Sequence, residues 1–248
     1  MSFRAPMPVV IAAIALVTAG LIVLGLWQLQ RSTWKQGIVA ERTTQIETAP
    51  ADVETLLTAG RDAVDWRPVT ATGTWDQART MVVTNRVRFG VRGEEAVTPL
   101  LLADGGPALL VDRGWFPLDQ RDRVLAALAA EPDGTVVGLA RALGDGGGRI
   151  IPNGTWNRLD ASAMGATLPY PALPWLVIEG RLVQRYDAGD GALPVRQYLA
   201  FQNNTPHMQY ALTWFGLATA LIVVSFFRFA IAPRRERERA RRAAHPAE

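Results

Sequence analysis

The stretch Val9-Val-Ile-Ala-Ala-Ile-Ala-Leu-Val-Thr-Ala-Gly-Leu-Ile-Val-Leu-Gly-Leu-Trp27 decides the architecture of this chain. It carries no charge, and as a helix rising about 1.5 Å per residue it is long enough for a hydrocarbon core of about 30 Å. A second apolar run, 210–231, is interrupted only by Arg228 near its far end, where a long side chain can snorkel to the headgroups. Trp27, Tyr210 and Trp214 stand where interfacial aromatics belong. The chain reads as a membrane hairpin carrying one globular insert. The expected division is an N-terminus over 1–8, transmembrane helices over 9–27 and 207–231, an insert over 28–206 and a tail over 232–248.

A cleaved signal peptide is the rival reading of the first segment. The apolar run exceeds the usual signal core of about 7–15 residues, and Trp27-Gln-Leu-Gln-Arg31 stands where a small-residue cleavage site is needed. Orientation follows from charge beside the membrane. Arg228 and six further arginines of the tail (Arg234, Arg235, Arg237, Arg239, Arg241 and Arg242) predict cytoplasmic termini and an extracytoplasmic insert. The insert itself has eighteen basic and twenty acidic residues, so the formal net charge of +3 comes from the ends. That distribution speaks for topology and membrane lipid rather than nucleic acid. One Lys against twenty-five Arg suggests a GC-rich bacterial source, and hence a bacterial plasma membrane.

Within the insert, the polar segment Lys35 to Leu57 is helix-friendly and punctuated by Pro50. Beyond it the apolar period changes to two. Strands are expected at 67–75, 80–85, 96–102, 108–112, 135–140 and 175–183, with a helix over 119–130. The sum is an α+β domain with a mainly antiparallel sheet. Gly144 to Gly148 and Asp187 to Pro194 read as loops, and the former lacks the Gly-Lys-Ser/Thr ending of a phosphate cradle.

Chemistry is constrained by stock. With no Cys there is no thiolate site, and with two His, one of them His245 in the tail, a hydrolase triad in the insert would need His207. Paired-carboxylate catalysis stays open, although nothing marks any pair. Thr205-Pro206 is a helix-start signal, with Thr as cap and Pro at the first helical position, which places His207 in the opening turn of the second apolar helix. The positive end of the helix dipole there favours the neutral imidazole that metals and haem iron require. Tyr210 and Trp214 follow at spacings of three and seven and can line a flat, hydrophobic ligand. The bland alternative is a His that caps its helix beside an ordinary aromatic belt. Arg31, between Trp27 and Trp34, suits a propionate or lipid phosphate, or equally an acidic residue of the insert.

Several motifs in order resemble one family. They are Leu24-Gly-Leu-Trp-Gln-Leu-Gln-Arg31 with Trp34-Lys35, Val69-Thr-Ala-Thr-Gly73-Thr-Trp75, Asn85-Arg86 and Val97-Thr-Pro-Leu100. Leu110-Val-Asp-Arg113-Gly114-Trp115-Phe116-Pro117 and Asn203-Asn-Thr-Pro-His207-Met-Gln-Tyr210-Ala-Leu-Thr-Trp214-Phe215 complete the set. On these the chain resembles the surfeit-locus cytochrome c oxidase assembly factors over nearly its whole length. The resemblance implies a non-catalytic helper in maturation of the haem-copper oxidase, assisting delivery of haem a to the catalytic subunit. The family's transmembrane His falls on His207. The Arg-rich tail, the Gly144 to Gly148 loop and Phe116, where an aliphatic residue is common, depart from familiar members. A competing reading keeps the chain bound to the oxidase or to a respiratory supercomplex as a clamp that does not touch haem. An exported enzyme is a third.

Overall fold

The computed structural model describes residues 6–102, 105–144, 146–187, 190–201 and 205–231. The Arg-rich stretch 232–248 and the Asn203-Asn204 pair lie outside the described residues. The chain divides into two compact units, Ala40–Phe201 on one side and Met1–Val39 with Gln202–Glu248 on the other. Two helices are long and apolar enough to cross a membrane by length and composition, Met7–Ile46 and His207–Ile231. They suggest membrane association.

Helix α1 (Met7–Ile46) runs unbroken from the apolar segment into the helix-friendly polar one. Nothing between residues 28 and 46 breaks a helix, because Pro50 comes only after its end. Its last turns belong to the globular unit, with Ile46 packed against Leu139 and Tyr198. Helix α5 (His207–Phe226) begins with Pro206 at the cap position and no side-chain cap bond. Thr205 is therefore not the cap that its sequence suggests. Its hydroxyl instead accepts a hydrogen bond from Lys35 Nζ at 3.2 Å.

The globular unit is built on a seven-stranded sheet. Its strands are β1 (Ala51–Asp52), β2 (Arg67–Trp75), β3 (Met81–Arg88), β4 (Val91–Leu102), β5 (Ala108–Pro117), β6 (Gly134–Arg141) and β7 (Ala172–Glu179). The spatial order is β1-β2-β6-β7-β5-β4-β3, and β2 also pairs with β4. That second pairing, Gly73 to Trp75 against Leu100 to Leu102, closes β2, β6, β7, β5 and β4 into a ring. A separate pair joins β8 (Arg181–Val183) to β9 (Gln197–Leu199) in parallel.

The sheet is mixed, which corrects the expectation of a mainly antiparallel one. β1 runs parallel to β2 and β5 parallel to β7. The physical reason is visible in β7, where Trp175, Leu176 and Val177 are consecutively buried. A strand covered on both faces loses the alternation that marks a half-exposed antiparallel one.

Alternate residues of the ring strands form one core: Val69 and Ala71, Leu100 and Leu102, Leu109 and Val111, Val136 and Ala140, and Leu173, Trp175 and Val177. Trp175 is fully buried among them. The opposite faces are covered in two places. Helix α3 (Arg121–Ala129) lays Val124 and Leu128 on Ala96 and Phe116. Helix α4 (Ala161–Gly165) brings Met164 to Val83, Val97, Leu110 and Leu176. A fourth helical turn, α2 (Arg61–Val64), buries Val64 in the ring core.

Candidate functional site

Burial along the helical unit repeats at alternating spacings of three and four. On α1, Thr18, Leu21, Gly25, Gln28, Ser32 and Lys35 are more covered than their neighbours, and on α5 so are His207, Ala211, Trp214, Ala218 and Leu221. This is the spacing of a heptad seam between two paired helices. The helices run antiparallel, since Lys35 meets Thr205, Gln28 meets His207 and Gly25 lies against the Phe215 ring.

His207 sits in that seam, 8% exposed. Its Nδ1 lies 2.8 Å from Gln28 Oε1. Its Nε2 is buried and has no hydrogen-bond partner among the described residues. An amide oxygen can only accept, so this contact suits the tautomer with the proton on Nδ1 and the free lone pair on Nε2. That is the state of an imidazole ready to ligate a metal, with its other nitrogen held by a carbonyl.

Among the described residues no group of three or more His, Asp or Glu is placed to hold a metal ion. A lone imidazole therefore fits haem iron, whose equatorial ligands come from the macrocycle, better than a free cation that needs several side chains.

The other expected residues fall around this point. Arg31 follows Gln28 by three and Tyr210 follows His207 by three. Three residues turn a helix by about 300°, so on antiparallel partners both step to the same flank of the seam, each displaced by about 4.5 Å in opposite directions. Tyr210 is 50% exposed there. Trp214, seven residues from His207, is half-buried at the seam. The Arg31 guanidinium stacks 4.0 Å over the ring of Trp34 on its own helix. Gln28 was missed by sequence reasoning. Its signal is the run of polar residues Gln28, Ser32 and Lys35 at seam spacing within a helix that is otherwise apolar on that face.

The globular unit holds several buried ion pairs of its own. Arg113, fully buried, pairs with Glu131, donates to Gln77 Oε1 at 3.2 Å and lies 4.1 Å over Trp75. Glu131 also pairs with Arg196, which reaches Glu179 at 3.0 Å. Glu95 takes Arg86 at 2.7 Å and Arg88 at 2.8 Å, and Glu94 takes Arg121. Trp115 donates from Nε1 to the Arg86 carbonyl at 3.1 Å. Gly114 sits at φ +114 with the Val195 carbonyl 2.7 Å from where a Cβ would be, so no side chain fits. The Arg113-Gly114-Trp115 motif is thus explained by the fold. Gly144 and Gly148 both close on the carboxylate of Asp160. Gly148 N donates to Asp160 Oδ2 at 2.8 Å, and a Cβ on Gly144 would lie 2.4 Å from the Asp160 carboxyl.

The sequence model of the SURF1 family matches residues 15–219, well over half of the chain. The chain is similar to the SURF1-like protein of Rickettsia felis, 29% identical over 214 residues that cover 82% of this chain and 89% of that protein. It is similar to Surfeit locus protein 1 of Xenopus tropicalis, 25% identical over 79% of this chain and 68% of the relative. The same protein of Mus musculus is 26% identical over 86% of this chain and 74% of its own length. The matched region takes in the first apolar helix, the whole ring and the His207 turn, and so the chain belongs to the SURF1 family.

Proposed function

We propose that this chain is a membrane-held, non-catalytic assembly factor that aids delivery of haem a to the catalytic subunit of a haem-copper cytochrome c oxidase. The SURF1 family is known as one of cytochrome oxidase assembly factors, and membership in it carries the oxidase half of the reading. The haem half rests on one observation, the buried Nε2 of His207 left without a partner while Nδ1 is engaged. In this reading both termini are cytoplasmic and the globular unit docks on the oxidase from the outer side of a bacterial plasma membrane.

His207 would hold the iron through Nε2, with Tyr210 on the flank and Trp214 at the seam offering aromatic faces and Arg31 available to a propionate. The iron of haem a, when bound, supplies the Lewis-acid centre that Nε2 meets. A carrier must also let go. An affinity near micromolar, about −8 kcal/mol, permits transfer to an oxidase that holds haem more tightly.

The test is the haem content of full-length protein purified in mild detergent from a host that makes haem a, compared with His207→Ala. Loss of the haem spectrum in the variant is expected. Unchanged loading removes His207 from the mechanism, and a colourless wild-type preparation that still brings down oxidase subunits favours the clamp.

A further inference from the structure

We infer that Gln28 is the positioning residue of the His207 site, its side-chain carbonyl selecting the imidazole tautomer and, as a neutral acceptor, keeping the Nε2 ligand weak enough to release what it binds. The inference rests on the haem-handling reading of His207 and deepens it.

A neutral imidazole has one donor nitrogen and one acceptor nitrogen, and only the acceptor can ligate a metal. A free histidine side chain in water prefers the proton on Nε2, which is the wrong nitrogen for this site. The 2.8 Å contact from Gln28 Oε1 to Nδ1 reverses the preference, because a carbonyl oxygen bonds only to a protonated Nδ1. Turning the amide over would put its NH2 on Nδ1 and force the proton to Nε2. There it would be a buried donor with no acceptor among the described residues, an arrangement that carries the full cost of desolvation. Either tautomer leaves Nε2 without a partner among the described residues, so the Gln28 contact is what selects between them.

The choice of amide matters as much as its place. Metal-ligating histidines commonly donate their second N–H to a carboxylate or a carbonyl, and the partner sets how basic the ligating nitrogen becomes. A carboxylate at position 28 would draw the Nδ1 proton and strengthen the bond at Nε2. An amide draws it less, and it cannot change charge with pH. A site built this way binds through a correctly oriented but modest ligand, as a transfer site needs and a storage site does not. Gln28 belongs to the seam, whereas Trp27 is 54% exposed and Arg31 is exposed.

The tautomer is measurable without haem. The chain has two histidines, so full-length His245→Ala protein labelled with 15N-histidine in detergent reports His207 alone. Nitrogen NMR is expected to show a protonated Nδ1 and a bare Nε2 in that background, the same in Gln28→Glu, and a shift of the proton toward Nε2 in Gln28→Leu. A protonated Nε2 without the Leu substitution, or an unchanged tautomer in Gln28→Leu, overturns tautomer selection by Gln28. Hemin titration then reads the ligand. Gln28→Leu should bind roughly tenfold to a hundredfold more weakly. Gln28→Glu should bind more tightly, show a lower reduction potential and transfer hemin more slowly to apomyoglobin. Equal transfer rates for Gln28→Glu and wild type overturn the weak-ligand half. If wild type takes up no hemin, the haem reading of His207 falls and the weak-ligand half falls with it, while the nitrogen spectra still decide whether Gln28 sets the tautomer.

Discussion

Asp112 lies at the centre of β5, almost wholly buried, and its Oδ1 accepts a hydrogen bond from Gly114 N at 3.0 Å. Burial, with the charge of Glu95 adding to it, pushes its carboxyl from the ordinary 3.8 up to about 8, against the Gly114 bond and the arginines at 86 and 88. The unfolded chain ionises near the ordinary value while the folded one keeps its proton, so between about pH 4 and pH 8 the folded state holds more protons. Stability contributed by this group is therefore complete in acid and falls as pH rises, by about 1.4 kcal/mol per unit across that window. Asp112→Asn keeps an oxygen for Gly114 N and cannot ionise. Its stability advantage over wild type should be near zero below pH 4, about 1.5 kcal/mol at pH 5 and roughly 4 kcal/mol at pH 7. In a chain of this size each pH unit should then widen the gap in melting midpoint by roughly 4 °C. Melting full-length wild type and Asp112→Asn in detergent at pH 5, 6, 7 and 8 reads this directly. Two midpoint curves that stay parallel across the series refute the reasoning, because a constant offset means that the carboxyl does not change its proton on unfolding.

Two further substitutions test other parts of the fold. Asp160 is pushed upward by desolvation, but backbone amides of Ala163, Gly148 and Gly146 outweigh that and hold its carboxyl below the usual range. Its contribution is present above the ordinary carboxylate pKa and lost as pH falls through the lowered one, so Asp160→Ala should cost about 1–2 kcal/mol at neutral pH and almost nothing in strong acid, read by urea midpoints at pH 7 and pH 2.5. Arg113→Leu strips Glu131 of its buried partner and removes the cation from the Trp75 face. About 3–5 kcal/mol of stability should go, seen as a lower thermal midpoint, with the cost falling if Glu131→Gln is made in the same chain.

The strands were legible because their physics is local. β2 runs from Arg67 to Trp75 as the Val-Thr-Ala-Thr alternation indicates, and β6 differs from expectation by a residue at each end. What the sequence could not carry is neighbour choice. The parallel partnership of β5 and β7 depends on β6 lying between β2 and β7, and no residue in either strand encodes it. β1 and β9, two and three residues long, are too short to show a period. At the site, His207 was legible as an isolated imidazole in an apolar helix, and Tyr210 and Trp214 as its helical neighbours. Gln28 was not, since its meaning lies in a partner nearly the whole chain away. The three-four spacing that carries it is hidden by a helix apolar on almost every face.

The location of the unmet nitrogen explains why the hairpin, rather than the ring, is where a ligand is expected. Buried charge in the globular unit is arranged in closed sets: Glu95 with Arg86 and Arg88, Glu94 with Arg121, and Arg113 with Glu131, Arg196 and Glu179. Spare valences there, such as Arg113 Nε and Glu179 Oε2, belong to ions whose other atoms are already paired. A ligand competing for them would have to break an ion pair in a desolvated setting, which costs more than a new bond returns. His207 presents the reverse balance. Its Nδ1 is satisfied by Gln28, so meeting Nε2 breaks nothing, and an acceptor left bare between two apolar helices gains from any Lewis acid that reaches it. The same hairpin would pack without penalty if positions 28 and 207 were aliphatic. A polar pair kept in that seam with one valence open is therefore costly for stability alone, and the transient ligand proposed above would account for it.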